Sequence, residues 1–100
     1  MVDLPGLRKT SEALTGRMYR LEIGAAIHVQ EGEPFTATEI HEATQIVLNR
    51  VTDDLKRLRE AELIREVDDV RGRSDQMKAE PHPYWEFCYQ AASQFGWEPR

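Results

Sequence analysis

The sequence predicts an α+β fold, mostly α, in which three helices lead into a β-hairpin and a C-terminal helix closes the chain. Three observations predict it. Apolar residues recur at three- and four-residue spacing in separate stretches around Leu21, Leu55 and Cys88, the signature of helices with one buried face. Thr36 and Glu39 stand at the spacing of a capping box, in which a hydroxyl and a carboxylate satisfy reciprocal backbone donors at a helix start. A polar run centred on Gly72 separates two short segments of strand character.

Residues 1–16 hold Pro5, Gly6 and Gly16 among few apolar side chains, so a flexible N-terminal arm is expected, with at most one helical turn at Thr10 or Ser11. The domain itself is expected over 17–96. In its first helix Met18, Leu21, Ala25 and Val29 form the stripe, Ile23, Ala26 and Ile27 widen it, and Gly32 stands where a helix stops. Glu33-Pro34-Phe35 reads as an extended joint, because a residue before proline is pushed out of the helical region. The second helix is expected over 37–43, with Thr44-Gln45-Ile46 as the turn after it. Val47, Val51, Leu55 and Leu58 carry a third helix to Glu60 or Ala61. Leu63, Ile64 and Val67 lead into one strand, 68–75 form the hairpin tip, and Gln76 to Glu80 return. Beyond the Pro81-His82-Pro83 joint, Tyr84, Trp85, Cys88, Ala91, Ala92 and Phe95 share one face of a last helix that ends near Gly96.

With 100 residues, 40% of them hydrophobic and 31% charged, the composition is that of one soluble globular domain. Thirteen basic against eighteen acidic side chains leave a net charge of −5 and a pI near 5.2, which argues against a broadly basic nucleic-acid coat or a membrane-surface binder. Any nucleic-acid face is therefore local. No stretch approaches the roughly 18 apolar residues that span a bilayer, and charges break the first fourteen residues where a signal peptide would need an apolar run. The single cysteine, Cys88, excludes an intrachain disulfide and a thiolate-rich zinc site, and fits a reducing, cytoplasmic setting. On an apolar helix face it reads as buried and inert. His28, His41 and His82 are too scattered to suggest a metal centre. Without a phosphate-cradling glycine loop or a nucleophile spaced to a base, neither a cofactor nor an enzymatic activity is expected.

Thr38-Glu39-Ile40 in the second helix, Thr44-Gln45-Ile46 at the turn and Asn49-Arg50-Val51-Thr52 early in the third helix belong to one pattern. The run from Leu55 to Ile64 continues it, with the form L-x-x-L-x-x-x-G-L-[IV] except that Glu62 replaces the glycine. In these residues the stretch 35–67 resembles the winged helix-turn-helix repressors, the ArsR-like and MarR-like groups above all. Pro81-His82-Pro83-Tyr84-Trp85 is similar to their step from wing to last helix.

The resemblance implies a sequence-specific regulator of transcription that binds double-stranded DNA as a homodimer. The third helix would lie in the major groove and the wing on the backbone or in the minor groove. Leu48, Asn49 and Arg50 fall in the first turn of that helix, where Asn49 suits adenine and Arg50 suits guanine. Thr52, Lys56 and Arg57 fall near the phosphates, and Arg71 and Arg73 flank Gly72 at the wing tip. Leu48 suits either a thymine methyl group or a protein face. Residues 17–31 and 84–95 are the expected dimer surface. Tyr84, Trp85, Phe87, Tyr89, Phe95 and Trp97 read as core plus that interface, ahead of a ligand pocket.

The chain departs from the pattern where the family carries glycine, a hydroxyl cap and glycine, at Gln45, Val47 and Glu62. Asp53-Asp54 also stands where basic or polar residues are usual, and two carboxylates facing phosphates would be repelled. Pairing of Asp54 with Arg50, Lys56 or Arg57 would offset part of that. Residues 47–79 hold eight basic and eight acidic side chains, so the expected reading unit is neutral. A second class of function therefore stands beside the first: a protein-interaction module that docks a partner through Leu48 and Asp53-Asp54, or through the last helix, and does not bind DNA.

Overall fold

A computed structural model of the chain describes residues 1–67 and 76–100. Among them, five helices and two strands make a small, mostly helical α+β fold. The order is α1 (Leu4–Thr15), α2 (Arg20–His28), α3 (Ala37–Thr44), α4 (Leu48–Glu60), β1 (Ile64–Val67), β2 (Gln76–Ala79) and α5 (Pro83–Ser93).

The largest difference from the sequence reading is at the N-terminus, where 1–16 is not a loose arm. Asp3 accepts a hydrogen bond from the Gly6 backbone N–H at 3.0 Å and caps α1. Pro5 lies in the first turn, where its missing N–H costs nothing, and Gly16 closes the helix at φ 78°. The residues that read as breakers are thus a start and a stop. Leu7 and Ser11, one turn apart, are buried, and Ser11 Oγ donates to the Arg17 carbonyl at 2.7 Å while accepting from the Leu21 N–H. A stripe this narrow carries little periodic signal.

Every residue of α2 from Leu21 to Ile27 is buried. One side of the helix contributes Ile23, Ala26 and Ile27 to a core with Phe35, Ile40, Ile46, Val51, Leu55, Leu58, Ile64, Met77 and Trp85. The other contributes Leu21 and Ala25 to a second cluster with Leu7, Cys88, Ala92 and Trp97. Of the residues expected at a dimer surface over 17–31, Leu21 to Ile27 pack within one chain, and Met18 and Val29 at the ends of α2 stay exposed. Of the aromatic group, Trp85 and Trp97 are core and Phe87 is exposed.

α3 begins with the expected capping box: Thr36 Oγ1 accepts from the Glu39 N–H at 3.1 Å, and Glu39 Oε1 from the Thr36 N–H at 3.0 Å. The extended joint before it does more than connect. Phe35 exchanges two backbone hydrogen bonds of 2.8 Å with Met77, extending the antiparallel pair in which Ile64 faces Ala79 and Val67 faces Gln76. Gln45 and Glu62, two of the positions where the resembled pattern has glycine, adopt φ 61° and 62°. This left-handed region costs a residue with a Cβ about 1–2 kcal/mol.

Two stability predictions follow from this backbone. A Cβ added to Gly24 would lie 2.7 Å from the Cβ of Cys88 at the crossing of α2 and α5. Gly24→Ala is expected to cost about 1–3 kcal/mol in urea unfolding, the usual penalty of overpacking. Glu62→Gly is expected to gain up to about 1 kcal/mol in the same assay, since relief of the left-handed strain exceeds the added entropy of the unfolded chain.

Candidate nucleic-acid interface

α4 follows α3 across the short turn 45–47, and side chains pin that turn. Thr44 Oγ1 donates to the Ile40 carbonyl at 2.8 Å and accepts from the Ile46 N–H at 3.2 Å. His41 Nδ1 donates to the Ile46 carbonyl at 2.5 Å. Val47, the N-cap residue, offers no side-chain acceptor to the first turn of α4.

Val51, Asp54, Leu55 and Leu58 are the buried stripe of α4. At 100° per residue, Asn49, Asp53, Lys56 and Glu60 make the ridge directly opposite, while Arg50 and Arg57 lie on one flank and Leu48, Thr52 and Arg59 on the other. Leu48, Asn49, Arg50, Thr52, Lys56 and Arg57 are all exposed, so six of the sequence-predicted contact residues share the accessible surface of one helix. Thr52 donates its hydroxyl to the Asn49 carbonyl at 3.0 Å. Arg50 lines a hollow with Arg17, Tyr19 and Asp54, toward the turn between α1 and α2. Arg71 and Arg73 lie outside the described residues.

The two aspartates do not form one acidic face. Asp54, at 2% exposure, points inward, where its Oδ1 accepts from Arg17 Nε at 2.9 Å and from Arg20 Nε and Nη2 at 3.1 and 2.9 Å. Arg20 also reaches the Tyr84 hydroxyl of α5 at 3.4 Å. Asp53, half-exposed, pairs through Oδ2 with Arg17 Nη2 and, at 3.7 Å, with Arg57 Nε. The hydrogen bond from Arg17, aided by the charges of Arg17 and Arg57, holds the Asp53 carboxyl below the usual carboxylate range. Three guanidiniums therefore face two carboxylates, and the cluster carries one net positive charge.

The expected partners of Asp54 are corrected by this geometry: they are Arg17 and Arg20, not Arg50, Lys56 or Arg57. Sequence reasoning missed both arginines because they lie more than thirty residues away. A signal was present in α4 itself. Asp54 falls on the Val51–Leu58 stripe, and a carboxylate on a buried stripe requires a buried cation.

Cys88 is buried between α2 and α5, and burial pushes its thiol up to about 11. Among the described residues, no group of three His, Cys, Asp or Glu side chains is placed to hold a metal ion. Nor is any described helix long and apolar enough to cross a membrane. Comparison of the chain with models of known protein families, with curated proteins and with solved structures finds no match.

Removing the inward carboxylate leaves the mostly buried Arg20 without a carboxylate partner and Arg17 with Asp53 alone. Asp54→Ala is expected to lower unfolding stability by about 3 kcal/mol, near the low end for a broken buried pair because Arg17 is partly exposed. Asp53→Ala should barely move the thermal midpoint, since its carboxylate is solvated.

Proposed function

We propose that the chain is a winged helix-turn-helix protein that binds double-stranded DNA and regulates transcription, with α3 and α4 as the helix-turn-helix and β1 and β2 as the base of the wing. The observation that carries this reading is the outward surface of α4. Asn49, Arg50, Lys56 and Arg57 are exposed together on a helix that follows a pinned turn, while the charge of Asp54 is turned inward and answered by arginine. The uncapped N-terminus of α4 supports the reading as well, because open backbone N–H groups and the helix dipole suit a phosphate. In this reading Asn49 and Arg50, both exposed in the first turn of α4, meet base edges, and Lys56 and Arg57 lie toward the phosphates. Two copies would bind one near-palindromic site. With Leu21 to Ile27 covered, the outer side of α5 around exposed Phe87, with Met18 and Val29 beyond the ends of α2, is what the expected dimer surface offers for their contact.

A second reading, docking of a protein partner without DNA, is favoured by one observation. Val47 and Leu48 leave 64% and 41% of their surface exposed at the start of α4.

Fluorescence anisotropy with random duplex DNA at two salt concentrations separates the two. The DNA reading expects binding that weakens steeply with salt. Lys56→Ala should weaken all duplexes alike and reduce the salt slope by about 1, whereas Asn49→Ala should relax preference at one base pair. Absence of binding at low salt would transfer the α4 surface to the protein-docking reading.

A further inference from the structure

Asp53 lies on the outward ridge of α4 at the edge nearest Arg57, one turn after Asn49 and three residues before Lys56. A carboxylate there would ordinarily count against a DNA interface. Its surroundings change that. Arg17 and Arg57 both approach Oδ2, whereas Oδ1 accepts no hydrogen bond from any described residue. The two cations engage one oxygen and leave the second without a hydrogen-bond partner, on the same exposed helix surface as Asn49 and Lys56. They also cancel the charge that would otherwise make approach to phosphates costly. In the major groove an acceptor with no donor of its own selects the exocyclic amino group of cytosine, which is how aspartate and glutamate discriminate among base pairs. Asn49 and Asp53 are about 6 Å apart along the helix axis, close to two base-pair steps, so each can address a separate pair.

We propose that Asp53 is a specificity-determining residue of the α4 surface, reading a cytosine amino group through Oδ1 while Arg17 and Arg57 orient and neutralise it. The proposal rests on the DNA-binding reading and deepens it.

The test is selection of bound sequences from a random duplex pool, run in parallel with the unaltered chain, Asp53→Asn and Asp53→Ala, with thermal midpoints measured alongside. The expected result is a cytosine preference of about tenfold at one position of each selected half-site. Asparagine presents a donor and an acceptor together, so Asp53→Asn should move that preference to adenine, and Asp53→Ala should level it. Preferences at all other positions should stay. If both variants select the same sequences as the unaltered chain, or lose affinity for every sequence equally, the base-reading role is overturned and Asp53 serves only to hold Arg17 and Arg57. If the unaltered chain binds no duplex at all, the DNA reading falls and this assignment falls with it, an outcome the first arm identifies before any variant is compared.

Discussion

The placement of α4 depends on one carboxylate. Asp54 sits among Val51, Leu55 and Leu58 and is met there by Arg17 from the turn before α2 and Arg20 at its start, with Arg20 continuing to Tyr84 on α5. Apolar packing alone leaves a helix some freedom to rotate or slide, because burial is nearly indifferent to direction. An ion pair that lies mostly out of water tolerates little such freedom, since a guanidinium deprived of its acceptor pays its full desolvation cost. Whether the cluster adds net stability over an apolar replacement is secondary. Its effect is to set the rotation of α4, and hence which side chains form the outward ridge.

The clamp works because α2 is itself immobilised. Seven consecutive buried residues place this helix between two apolar clusters, and the close approach of α5 at Gly24 and Cys88 leaves no space for a larger side chain. A second mostly buried pair, Arg8 with Glu22, ties α1 to the same helix at 3.0 Å, and the Arg8 guanidinium also lies over the Tyr19 ring. Burial pushes the Glu22 carboxyl up more strongly than the hydrogen bond from Arg8 lowers it. Charges thus connect α2 to its neighbours in directions that the apolar contacts do not specify.

Much of this organisation was legible in the residues. The capping box at Thr36 and Glu39, the stripe of α4, the paired strands and the buried face of α5 follow from spacing and turn chemistry, both local properties. The left-handed backbone at Gln45 and Glu62 explains why glycine would suit those two positions. α1 was not legible, because Pro5 and Gly6 punctuate a chain as readily inside a first helical turn as in a loop. The bridge from Phe35 to Met77 was also hidden, since a single extended residue has no period.

The sequence by itself determined the capped start of α3, the apolar stripes of α4 and α5, and that Asn49, Arg50, Lys56 and Arg57 share one exposed helix. These depend on interactions within a few residues, which spacing encodes directly. Only the tertiary structure decided the fate of the charges. The helical stripe marks Asp54 as inward, yet its partners Arg17 and Arg20, and the pairing of Asp53 with Arg17 and Arg57, come from the fold. It also decided that α2 is an interior helix, buried from Leu21 to Ile27. The reason is the same in both cases: burial and charge pairing are set by which distant segments arrive alongside, and that arrival is a property of the folded chain as a whole.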